Sequence, residues 1–80
     1  MTNTRPIWQI ANEIRKDWKK VSPYAKPYLD AMSELDSITD NYWFDSAKSV
    51  VLYFLSNASS WRGEVAKRVK DELRAMCKGN

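Results

Sequence analysis

The stretch from Asp45 to Lys78 constrains this chain most. Its first half carries Ala47, Val50, Val51, Leu52, Tyr53, Phe54, Leu55 and Ala58, and only Lys48, Ser49, Ser56 and Asn57 are clearly polar. A short helix that is apolar nearly all round must be covered by other helices. After a brief turn, Val65, Val69, Leu73 and Met76 recur at helical spacing, with Trp61, Ala66 and Cys77 beside them. The pattern predicts a central hydrophobic helix over 45–57, capped by Asp45, and a long amphipathic C-terminal helix over 60–78, capped by Ser59 or Ser60. Glu64–Arg68 and Arg68–Glu72 are i,i+4 pairs worth ~0.2–0.5 kcal/mol each. Gly63 in a first helical turn costs up to ~1 kcal/mol relative to alanine, unless another backbone approaches closely there.

Two further helices precede this pair. Ile7, Ala11, Ile14 and Trp18 share one face, widened by Ile10 and Val21, and predict a helix from Pro6, capped by Thr4, to about Lys20. Ser22 and Pro23 signal a second start. Pro27 would break a helix begun there, so a turn over 23–26 and a helix over 27–35 are expected, with Tyr28, Met32 and Leu35 on its buried side. No alternating strand pattern, repeat or linker is present. The expected class is therefore all-α: one domain over 1–80, a compact small bundle of about four helices, with helices 1 and 4 packed on helix 3. An irregular bundle is favoured over a plain up-and-down one, because helix 2 is short and its start is bent.

Eighty residues bury a thin core, of ~60% or a little more of the unfolded surface. Four Trp, four Tyr and two Phe help to fill it. The single Cys77 excludes an internal disulfide and suits a reducing compartment. The N-terminus lacks the charged-then-apolar run of a signal peptide, and the longest apolar run, Val50 to Leu55, is far too short to span a bilayer. A cytoplasmic protein without a membrane partner is expected.

Chemistry is restricted by what the chain lacks. There is no histidine, which removes the commonest general base and zinc ligand, and one cysteine cannot build a structural zinc site. Asp36, Asp40 and Asp45 cluster around a loop, but their spacing departs from a calcium loop and turn formation explains them. Phosphate-loop and dinucleotide fingerprints are absent. No enzyme, no catalytic residue, no metal and no cofactor is expected.

The net charge is +3, and it is unevenly spread. Residues 1–22 carry five basic side chains against two acidic ones, residues 59–80 six against three, and residues 23–58 two against five. Terminal helices lying side by side would give one positive and one negative flank. On helix 4, Lys67, Lys70 and Arg74 fall on one outward flank with Lys78, partly neutralised by Asp71. On helix 1, Trp8, Asn12, Arg15 and Lys19 lie about 100° from the apolar stripe. A ring beside cations suits stacking on bases and pairing with phosphates, so Trp8, Arg15, Lys19, Lys67, Lys70 and Arg74 are the candidate nucleic-acid contacts. The bland alternative is a solvated surface, with Trp8 merely widening the buried face. A helix-turn-helix over 45–78 is a weaker fit than a plain αα-hairpin, because the turn lacks the usual glycine and helix 4 carries Glu64, Asp71 and Glu72.

The aromatic run Tyr42, Trp43 and Phe44 precedes helix 3. Neighbouring rings cannot all point inward. They either staple the bundle from below or leave an exposed ring as a protein-binding anchor, for another protein or for a second copy in a homodimer. In the block Trp61–Arg62–Gly63–Glu64, Trp61 can plug the corner between helices 3 and 4. Arg62 can return to helix 3 carbonyls, and Glu64 suits the positive end of helix 4. The alternative is a surface patch exposing Trp61 and Arg62 together.

The residues Asp45–Ser46, Val50–Val51, Tyr53–Phe54–Leu55–Ser56–Asn57–Ala58, Ser60–Trp61–Arg62–Gly63–Glu64, Ala66–Lys67, Lys70 and Glu72–Leu73 resemble a group of small bacterial proteins found in phages and mobile elements. Pro6–Ile7–Trp8 and Ser22–Pro23–Tyr24–Ala25 extend the resemblance over most of the chain. It brings no catalytic, metal or cofactor residues with it and implies only an accessory role, such as regulating or inhibiting a host machine. Two readings stand. One is a protein-interaction module using Tyr42, Trp43 and Phe44 or an acidic flank of Asp30, Glu34, Asp36 and Asp40. The other is a nucleic-acid-associated protein that contacts the phosphate backbone through helices 1 and 4.

Overall fold

Four helices carry most of the chain in the computed structural model, which describes residues 5–42 and 45–78. They are α1 (Ile7–Asp17), α2 (Lys26–Met32), α3 (Ala47–Ser56) and α4 (Glu64–Lys78). Between α2 and α3 lie two short antiparallel strands, β1 (Asn41–Tyr42) and β2 (Asp45–Ser46), in which Asn41 faces Ser46 and Tyr42 faces Asp45. The class is mainly α-helical, with a two-residue ladder that periodicity had no means of signalling.

Each boundary has a local cause. Ser46, not Asp45, caps α3: its Oγ accepts the Ser49 N–H at 3.1 Å, while Asp45 is held in β2 opposite Tyr42. The first N–H of α3 also donates to the Asp40 carbonyl at 2.8 Å. α1 begins without a side-chain cap on Pro6, and Thr4 lies outside the described residues. Its first N–H groups, those of Ile7 and Trp8, donate instead to the carbonyls of Asp36 and Leu35 at 2.8 Å each. The helix start is thus docked on the loop after α2, which satisfies donors that a helix cannot satisfy itself. α1 stops at Asp17, three residues earlier than its periodicity suggests, yet Trp18 remains buried. α2 starts at Lys26 with Pro27 in its first turn, where a missing N–H is harmless, and ends at Met32. α4 starts at Glu64 and not at residue 60, because Gly63 has φ +115°. A Cβ there would meet nothing within 4 Å, so the glycine serves this backbone angle and not a close approach.

The helices follow one another around a shared core. α3 packs on α2 and α4, and α1 packs on α2 and α4 rather than principally on α3. Ile7, Ile10 and Ile14 of α1, Leu29 and Met32 of α2, Val51 and Phe54 of α3, and Val69 and Leu73 of α4 are fully buried. α3 is less enclosed than its composition demands: Leu52 and Tyr53 are exposed, at 44% and 51%. Charged contacts of α1 with α4 run in opposite chain directions. Arg5 meets Glu72, Glu13 meets Arg68, and the Trp61 indole N–H donates to Asp17 at 2.7 Å. The two terminal helices therefore lie side by side and antiparallel. No helix is long and apolar enough to cross a membrane, among the described residues.

Candidate functional site

The corner between α3 and α4 is organised by Trp61. Its ring is 2% exposed, stacks on Trp18 with centroids 5.9 Å apart and planes 11° apart, and meets the edge of Phe54 at 6.5 Å. This is the structural junction expected of Trp61, but Arg62 does not reach back to the carbonyls. Lys70 does. Its Nζ donates to the Ala58 carbonyl at 2.7 Å and the Trp61 carbonyl at 2.6 Å, and sits 5.8 Å from the centre of the Trp61 ring. A lysine one and a half turns into α4 closes the turn, because the turn folds back over that face of the helix.

Above this corner lies a groove of about 360 Å³. Trp61, Gly63 and Ala66 form part of its lining. Arg62, Lys67, Lys70 and Arg74 surround it, with Asp71 as the one acidic lining residue. Lys67 and Arg74 both reach Asp71, at 3.1 and 3.3 Å. Arg62 has no carboxylate partner among the described residues. Burial pushes the Lys70 ammonium below the usual lysine range, and repulsion from Arg74 and Arg62 adds to the shift. The cluster is therefore under-neutralised: four cations share one carboxylate and two carbonyls. Clustered charge of one sign raises the local concentration of counter-ions.

The candidates named from the sequence are divided by this geometry. Lys67, Lys70 and Arg74 converge on the groove, and Arg62 joins them from the turn. Lys19 is exposed one residue beyond Trp18, at the end of α1 that the Trp18–Trp61 stack ties to the same corner. Arg15 is engaged elsewhere, with Asp30 at 2.7 Å and the Ser33 hydroxyl at 3.1 Å. Trp8 is 42% exposed and donates its indole N–H to Asp36 at 2.8 Å. Both lie on the flank of α1 that faces α2 and its following loop, away from the groove. The opposite flank of α1 meets α4 through Arg5, Glu13, Arg68 and Glu72. Acidic side chains thus fill the seam between the two basic helices, and their positive faces do not merge.

The acidic flank is also largely committed to the fold. Asp30 binds Arg15 and Lys26, Asp36 accepts from Trp8, and Asp40 accepts the backbone N–H groups of Asp36 and Ser37 at 3.0 Å each. Arg15 first, then Lys26, holds the Asp30 carboxyl below its ordinary range. Tyr42 is half-buried against the core, while Trp43 and Phe44 lie outside the described residues. The exposed rings that the sequence reading passed over are Tyr24, at 75%, and Tyr53, whose ring lies 5.4 Å from that of Tyr28. Their apolar neighbours gave no sign that α3 would leave one face open. No three acidic, cysteine or histidine side chains are grouped to hold a metal ion, among the described residues.

Compared with family models, with curated proteins and with solved structures, the chain finds no match in any of the three.

Proposed function

We propose that this chain is a small, non-enzymatic accessory protein of the cytoplasm that binds the phosphate backbone of nucleic acid. The supporting observation is the convergence of Arg62, Lys67, Lys70 and Arg74 on one groove with a single carboxylate among them. Guanidinium and ammonium groups in such a cluster pair with phosphate oxygens and read no base edge, so binding is of low sequence specificity. Neutralising up to four phosphates gives a slope of about −3 to −4 for log affinity against log salt. Fluorescence anisotropy of labelled oligonucleotides at ~50 and ~200 mM salt measures it. A flat dependence, or no binding at the lower salt, would count against this reading.

A second reading is supported by a different surface. Leu52 and Tyr53 are exposed on α3 and Tyr24 in the turn that precedes α2, and tyrosine is a frequent anchor in protein interfaces. On this reading the protein is an accessory regulator that docks on another protein or on itself. Light scattering of the purified chain should then show self-association that weakens in a Tyr24→Ser/Tyr53→Ser variant, or pull-downs should lose a partner with the same change. A monomer whose pull-down is unaltered by the substitutions argues against it.

A further inference from the structure

We infer that the groove takes single-stranded nucleic acid, one nucleotide deep, in preference to a duplex. The inference rests on the phosphate-binding reading and specifies which form of the polyanion fits.

Shape is the first reason. A helix that binds a duplex in its major groove needs a free face to project into a space about 12 Å wide. Here the basic flank of α4 is walled by the turn that precedes it, and Lys70 is drawn toward that wall by two carbonyls. The cations sit in a concavity of about 360 Å³, near the lower limit for small-molecule pockets, which run from roughly 300 to 1,000 Å³. A strand end or an unpaired nucleotide enters such a space, whereas the convex backbone of a duplex touches only its rim.

Lining is the second reason. Trp61 and Ala66 lie buried beneath the groove, and the space beside Gly63 is open for 4 Å around the position of an added Cβ. An unstacked base or sugar fits into that open space while its phosphate stays with the cations. A duplex keeps its bases paired and stacked, so no whole base can turn into that space. Trp61 is too buried to give a full stacking face, so little preference among bases is expected.

Depth is the third. Lys70 is half-buried, while Arg62, Lys67 and Arg74 are exposed around it. Asp71 holds Lys67 and Arg74 in the free protein, so an entering phosphate replaces it as their partner. Asp71 is then an internal competitor, and its removal strengthens binding.

The test compares a labelled thymidine homopolymer with a mixed-sequence duplex of equal length, at ~50 mM salt, on the full chain and on Asp71→Asn and Lys67→Gln/Arg74→Gln variants. The single strand should bind at least about twofold more tightly than the duplex, a smaller gain than a base stacked on an exposed ring would give. Asp71→Asn should tighten it by about two- to fivefold, the worth of an exposed ion pair, and the double variant should weaken it. Both changes are at exposed positions, and circular dichroism confirms that the variants are folded. Equal or tighter duplex binding overturns the single-strand preference while leaving phosphate binding standing. Single-strand binding that is indifferent to Asp71→Asn removes the groove as the site. Binding to neither form overturns the underlying reading as well.

Discussion

Lys70 shows how one side chain serves both stability and charge. Its ammonium closes the α3–α4 turn on the Ala58 and Trp61 carbonyls, so Lys70→Met leaves two acceptors without their charged donor. That change should destabilise the protein by about 1–3 kcal/mol in urea unfolding. Lys67→Gln, which loses only an exposed i,i+4 pair with Asp71, should stay within about 0.5 kcal/mol. If both variants unfold at the same urea concentration, Lys70 is an ordinary surface cation. The sequence made Lys70 visible as a basic residue on a polar flank, but not its role here. A lysine nine positions after Trp61 finds that residue's carbonyl only once the turn has folded over the helix. Trp61 was legible as a corner residue for the opposite reason: a large ring between two apolar patterns has few places to go. Arg62 was assigned to the carbonyls by proximity in sequence, and proximity in space gave them to Lys70.

At the scale of elements, periodicity located all four helices and misjudged their ends. Ends are decided by caps and tertiary contacts, which carry no period. Asp45 and Ser46 are both good capping residues in adjacent positions, and the pairing of Asp45 with Tyr42 across the two-residue ladder leaves the cap to Ser46. Ser46→Ala should therefore cost about 0.5–2 kcal/mol, and Asp45→Ala clearly less, by the same unfolding measurement. The reverse order would mean that the ladder does not set the start of α3. The beginning of α4 is fixed more firmly. With φ +115°, Gly63→Ala forces an unfavourable backbone angle into a site with open space, so strain and not a clash should cost about 1–3 kcal/mol. A first turn beginning at Ser60 would have absorbed alanine with a gain in stability. The short ladder itself was illegible, because two residues per strand do not make an alternation.

At the scale of the whole molecule, the charge map that looked like two basic ends and an acidic middle becomes, among the described residues, a set of local neutralisations that leaves basic corners incompletely paired. The terminal helices do lie together, but Glu13 and Glu72 occupy their seam with Arg5 and Arg68. The corner of Arg62, Lys67, Lys70 and Arg74 retains an excess of cations around one carboxylate, and exposed Lys16, Lys19 and Lys20 add further cations at the end of α1. Sequence could count these charges and place them on helix flanks. It could not say which flank of α1 would face α4, and that choice separates a paired seam from a merged basic surface. The seam also makes acid sensitivity predictable in sign. Arg68 first, then Arg5, holds the Glu13 carboxyl below its ordinary range against the opposing effect of burial. In the unfolded chain a glutamate titrates near about 4.3. The folded state therefore binds fewer protons than the unfolded state in the acid range, and the seam's contribution is whole above that pH and fades as pH falls through the lower native value. Asp30, held down by Arg15 and Lys26, adds to the same slope. Because Arg68 is half exposed and solvent screens the pair, Glu13→Gln should cost only about 1 kcal/mol at neutral pH. Its more telling effect is on shape: the melting temperature of the variant should fall less steeply than that of the parent below about pH 4.3, and the two curves should converge in acid. A constant gap between the curves at every pH would mean that Glu13 supports the helix pair by packing and not by charge.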